Sequence, residues 1–142
     1  LALTSHPDFD DTPLWDENGD ANLNNDGVIW HPHWVVLVED KRVAGGLSVK
    51  QFKKADKTAV LPPTNPGMPM YMDSPGYSVV TADQHIKVVV PDYRIQHQTE
   101  FNYDGVSAFM KVNTSNEELP MLGVYEVYSI RSGDLSLPYT VK

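Results

Sequence analysis

"VSAFMKVNTSNEELPMLGVYEVYSI", residues 106–130, holds the two segments on which the fold class turns. In its first part Val106, Ala108, Met110 and Val112 recur at every second residue, the period at which a strand turns one face to a core and the other to water. In its second part Met121 to Ile130 is apolar on both sides, which marks a central strand. Tyr125 and Tyr128 within it read as core residues. Asp104-Gly105, just upstream, is a hairpin signal.

The same grammar extends outward. Tyr77 to Val80 and Ile86 to Val90 flank the turn residues around Ala82-Asp83, and Tyr93, Ile95 and His97 alternate with Arg94 and Gln96. Leu135 to Val141 alternates after Ser132-Gly133-Asp134. Nearer the start, the apolar runs Trp34 to Val38 and Val43 to Val49 are separated by Glu39-Asp40-Lys41-Arg42, which predicts a hairpin. Residues 50–59 carry the only helical preference and are too short and too weakly amphipathic to form a stable helix. The stretch 61–77, "LPPTNPGMPMYMDSPGY", contains five of the chain's 11 prolines, which excludes a helix and disfavours a central strand. These spacings predict an all-β chain. The expectation is an antiparallel β-sandwich, Ig-like or a similar Greek key, of seven to eight strands, forming a single domain over 1–142 with 1–27 as an Asp/Asn-rich N-terminal arm or loop.

Composition narrows the function classes. The 41% of hydrophobic residues come in strand-length blocks and never approach the roughly 18 consecutive apolar residues of a membrane helix, so no membrane insertion is expected. With 19 acidic against 11 basic residues the formal charge is -8, a field that repels phosphate backbones and attracts cations. Nucleic acid is therefore not an expected partner, whereas a metal ion is. No cysteine is present, which removes disulfides, zinc-thiolate sites and thiol catalysis. The chain begins Leu1-Ala2-Leu3-Thr4 without an initiator methionine, as after export processing or trimming; the expectation is a secreted or periplasmic protein.

Three constellations could carry chemistry. In "DENGDANLNNDG", residues 16–27, acidic and amide side chains fall at every second position: Asp16, Asn18, Asp20, Asn22, Asn24 and Asp26. Such a loop suits Ca²⁺, which takes six to eight oxygen ligands. The spacing resembles the calcium loops of EF-hand and dockerin-type modules over these residues alone. That resemblance implies Asp16, Asn18, Asp20 and Asn24 as ligands, with Asn22 lending its carbonyl. Ala21 stands where the pattern has glycine, and Gly27 where it has a bidentate Glu. The other reading is an Asn/Asp-rich turn that caps its own backbone.

The second constellation is "WHPHW", residues 30–34. In an extended chain His31 and His33 share a face about 6–7 Å apart and could grip one ion, while Trp30 and Trp34 anchor the opposite face in the core. Pro32 places the segment at a sheet edge or a strand's beginning. Further ligands could come from His6, His85 or His97, or from Asp8, Asp10 or Asp11. The alternative is a pair of exposed or hydrogen-bonded histidines.

The third is "GMPMYMDSPGY", residues 67–77, where Met68, Met70 and Met72 alternate in a segment that Pro66, Pro69 and Pro75 push towards extended geometry. Thioethers select Cu(I). The Met-x-Met-x-Met spacing is similar to the methionine motifs of periplasmic copper-resistance and copper-chaperone proteins. The alternative is methionines filling gaps under a proline-rich loop. No nucleophile elbow or phosphate loop occurs, and the pairs Glu117-Glu118 and Asp10-Asp11 face opposite ways as neighbours in an extended chain. Binding is thus expected over catalysis. The leading expectation is an exported copper-binding protein for sequestration or delivery, and the rival is a calcium-braced module with a carbohydrate or protein partner.

Overall fold

The computed structural model describes residues 1–5, 21 and 30–141, with His31 described through its backbone alone. Among the described residues the chain is all-β: eleven short strands form several small antiparallel sheets, and one turn of 3-10 helix, Asp92–Ile95, is the sole helical segment. Contacts cluster into two compact units, residues 1–36 with 50–90 and residues 37–49 with 91–142.

The first unit holds β1 (Ala2–Thr4), β2 (His31–Val35) and β5 (Met72–Asp73) in the order β1-β2-β5, and the hairpin β6 (Ser78–Ala82) with β7 (His85–Val89). Pro32 sits near the start of β2, opposite Leu3, and β5 joins only from Trp34 onward. Its missing N–H therefore coincides with the stretch where β2 has no neighbour on the β5 side. The proline-rich segment supplies only the two-residue edge strand β5, in keeping with proline's exclusion from central strands. In the β6–β7 hairpin a two-residue loop joins Ala82 to His85, with Asp83 in the left-handed region at φ 51°.

The second unit holds β3 (Leu37–Glu39), β4 (Leu47–Val49), β9 (Val106–Val112) and β10 (Leu122–Ile130) in the order β3-β4-β10-β9. A separate pair joins β8 (Asn102–Tyr103) to β11 (Tyr139–Thr140). As expected, β10 is central: Gly123 lies opposite both Ser48 of β4 and Lys111 of β9. A side chain there would meet Val43 Cγ1 at 2.9 Å and Pro120 Cγ at 3.0 Å, so glycine is what lets three segments converge. Full burial holds only at Gly123 and Val124; Tyr125 is half-buried, and residues 126–129 are exposed. Register shifts leave Tyr125 and Tyr128 as bulged residues, and Tyr128 is exposed instead of core.

The β3–β4 turn is held by Asp40. Its buried carboxylate accepts the backbone N–H of Arg42 at 3.0 Å, the Arg42 Nε and Nη2 at 2.9 and 2.6 Å, and the hydroxyl of buried Ser48 at 2.8 Å. The Arg42 guanidinium holds the carboxyl well below the usual carboxylate range, against burial acting the other way.

Two expected strands are absent as such. Tyr93, Ile95 and His97 lie in and just after the 3-10 turn, which follows Pro91, and Gln96 and His97 take left-handed φ of 54° and 58°. Leu135 and Leu137 are also left-handed, at 58° and 53°, which breaks the predicted run and leaves only Tyr139–Thr140 as strand.

Candidate functional site

Strands β2 and β5 bring two of the three constellations together. Trp34 pairs with Asp73 and Val35 with Met72, so His33 falls beside Ser74, and alternation puts His33, Val35, Met72 and Ser74 on one face. His33 and Met72 are then diagonal neighbours, whose Cα atoms lie about 7–8 Å apart, within reach of long side chains. Both are buried, with 3% and 4% of their surface exposed. His33 Nδ1 lies 2.9 Å from Ser74 Oγ in a buried hydrogen bond whose direction follows the ring tautomer.

The expected orientation is reversed at this strand. His33 points inward, whereas Trp30 is 40% exposed and Trp34 is half-buried, its Nε1–H donating to the Tyr77 hydroxyl at 3.1 Å. Period-two alternation fixes which residues share a face, not which face is inside, and the apolar bulk of tryptophan did not decide it here. His31 pairs through its backbone with Thr4.

The methionine segment is not the extended run that proline spacing suggests. Met70 N–H donates to the Met68 carbonyl at 2.8 Å and Met72 N–H to the Met70 carbonyl at 2.9 Å, two successive three-residue turns centred on Pro69 and Tyr71. Between them Met70 bridges Gln51 and is fully buried at 0% exposure; Met68 is half-buried. Tyr71 anchors the segment: its N–H donates to the Lys50 carbonyl at 2.8 Å and its carbonyl accepts from Val36 at 3.1 Å, while its ring meets Phe52 edge-on at 5.4 Å.

Residues with no visible motif complete the support. Thr64 donates its hydroxyl to the Asp73 carboxylate and its carbonyl accepts from Ser74 N–H at 3.0 Å, while the Asn65 side chain donates to the Met72 carbonyl. The 62–65 turn thereby clamps the open side of β5, an edge strand by the sheet order. Only the turn chemistry of "PPTN" announced this stretch.

The remaining candidates stand elsewhere. Asp16, Asn18, Asp20, Asn22, Asn24 and Asp26, with His6, Asp8, Asp10 and Asp11, lie outside the described residues. His85 and His97 are exposed. Among the described residues no three His, Asp or Glu side chains gather closely enough to hold an ion. In the second unit an open groove of about 600 Å³ is lined by Thr99, Glu100, Phe101, Asn102, Thr140 and Val141. The chain matches no protein-family model, no curated protein and no solved structure.

Proposed function

We propose that this protein binds copper, for sequestration or delivery, through His33 and the thioethers of Met70 and Met72, with His31 and Met68 on the same two segments. The observation that carries the reading is the antiparallel pairing of β2 with β5, which sets an imidazole and a thioether diagonally on one buried face. Soft sulfur beside imidazole in a dry, low-dielectric setting suits Cu(I) over harder ions. The Ser74 hydroxyl on Nδ1 is the kind of outer contact that fixes a ligating ring. A sandwich packing of the sheets, supported by the strand spacing, and a secreted or periplasmic setting belong to the same proposal.

The test is competitive titration of the full chain with Cu(I), in parallel with zinc and calcium. One equivalent of copper is expected to bind, and Met72→Leu or Met70→Leu, which keep the side-chain volume, each weaken it by roughly tenfold or more. Copper binding that is absent, or unchanged in both leucine variants, overturns the proposal.

A second reading rests on the open groove. Phe101, 45% exposed, beside Glu100, Asn102 and Thr140 offers a stacking ring with carboxylate, amide and hydroxyl groups, the chemistry that suits a sugar. It corresponds to the calcium-braced carbohydrate- or protein-binding module. Stabilisation by calcium alone, with no response to copper, would favour it.

A further inference from the structure

The strand β9 is an edge: among the described residues it pairs with β10 alone, so the hydrogen-bonding groups on its far side face no neighbouring strand. At seven residues it is the longest edge strand described, spanning about 23 Å, whereas the opposite edge β3 has three residues and ends on Glu39 beside Asp40. Natural edges are usually protected by proline, inward charges, bulges or brevity. On the outer edge of β9 the sole such guard is the exposed Lys111 near one end: the strand has no proline, and the bulged residues Tyr125 and Tyr128 are on β10.

The strand's own side-chain register admits a second copy of this chain as the occupant. The protein carries a net charge of -8, which opposes self-association over most of its surface, but 106–112 contains no acidic residue. If two β9 strands run antiparallel about a two-fold axis at Phe109, Lys111 faces Ser107 of the other copy and never another Lys111. Val106 then faces Val112, Ala108 faces Met110, and the two Phe109 rings meet at the axis. Each is a favourable or neutral cross-strand pair. Phe109 and Val106, 49% and 50% exposed, are available for this contact. We propose that the protein forms a homodimer by β9–β9 pairing centred on Phe109, which joins two four-stranded sheets into one of eight strands. This inference stands independently of copper binding.

Sedimentation equilibrium of the full chain over a concentration series is expected to show the mass doubling from 15.9 kDa. Phe109→Glu and Phe109→Lys each place like charges on the axis and are expected to be monomeric; mixed one to one they face opposite charges and recover the dimer. Because Phe109 is half-exposed, circular dichroism should be unchanged in both. A second measurement avoids the aromatic position altogether: mixed Ser107→Cys and Lys111→Cys chains should cross-link on oxidation faster than either alone, since those positions face each other. A wild-type chain monomeric throughout, a dimer that survives Phe109→Glu, or a mixture that neither reassociates nor preferentially cross-links overturns the proposal.

Discussion

Tyr125→Phe is expected to stabilise this protein, against the usual sign of point substitutions. Tyr125 is the extra residue of the first β10 bulge, and its hydroxyl oxygen is buried with no hydrogen-bond partner. Its ring edge, Cε2, lies 3.5 Å from the position a Cβ on Gly123 would take, and Lys111 Nζ lies 5.7 Å from the ring centre. An unpaired buried hydroxyl costs about 1–3 kcal/mol, because water is given up and nothing replaces it. Phenylalanine keeps the ring, its packing and the cation contact, so the substitution should recover about 1–2 kcal/mol. With a urea dependence of about 1–3 kcal/mol per molar, the midpoint should rise by roughly 0.5–1 M at unchanged slope. Far-UV circular dichroism is the appropriate signal, since Trp30 and Trp34 lie in the other unit. Tyr128→Phe is the control: Tyr128 is 61% exposed and should change stability by less than about 0.5 kcal/mol. A loss of stability in Tyr125→Phe would refute the reasoning, since it would mean that the hydroxyl is bonded in solution.

Three further outcomes follow from named contacts. Asp40→Ala should cost about 2–3 kcal/mol: buried Ser48 loses its acceptor, and the ion pair adds little because the Arg42 side chain is 47% exposed. Since Asp40's carboxyl is held below its unfolded value of about 3.9, its contribution is complete above that pH and is lost as pH falls below it, so the acid limb of a urea-midpoint profile should be flatter in Asp40→Ala than in wild type. Gly45→Ala puts a Cβ 2.5 Å from the Val124 carbonyl oxygen that accepts Gly45 N–H, and should cost about 3 kcal/mol in thermal unfolding; Gly46→Ala, in open space at φ 73°, should cost only about 1–2 kcal/mol of backbone strain. Ser74→Ala removes the hydroxyl on His33 Nδ1 and should weaken Cu(I) binding by roughly tenfold in competitive titration, with calcium response unchanged.

What could be read from residue order divides along one physical line. Periodicity within a strand was legible: β9, β10 and the β6–β7 hairpin lie where alternation and the Ala82-Asp83 turn put them. Backbone choices that a local pattern does not encode were not. Leu135 and Leu137 alternate as a strand should, yet both adopt a conformation that bulky residues rarely take, and the alternation of Tyr93, Ile95 and His97 is absorbed by a 3-10 turn.

The same division governs the candidate site. The composition of donors was visible in "HPH" and "MPMYM", but which face of β2 turns inward depends on Ser74, 41 residues away, and a strand's two faces exchange with a slip of one residue. Reversing the face changes the chemistry under consideration. An outward His31–His33 claw would sit in water and suit borderline divalent ions, whereas an inward His33 beside Met72 presents soft, dry donors in a place that calcium has no reason to enter. Ligand preference therefore follows the strand's orientation: the inward face requires Cu(I) binding that His33→Ala and Met72→Leu both weaken, whereas binding lost in His33→Ala and untouched by Met72→Leu would require an outward face.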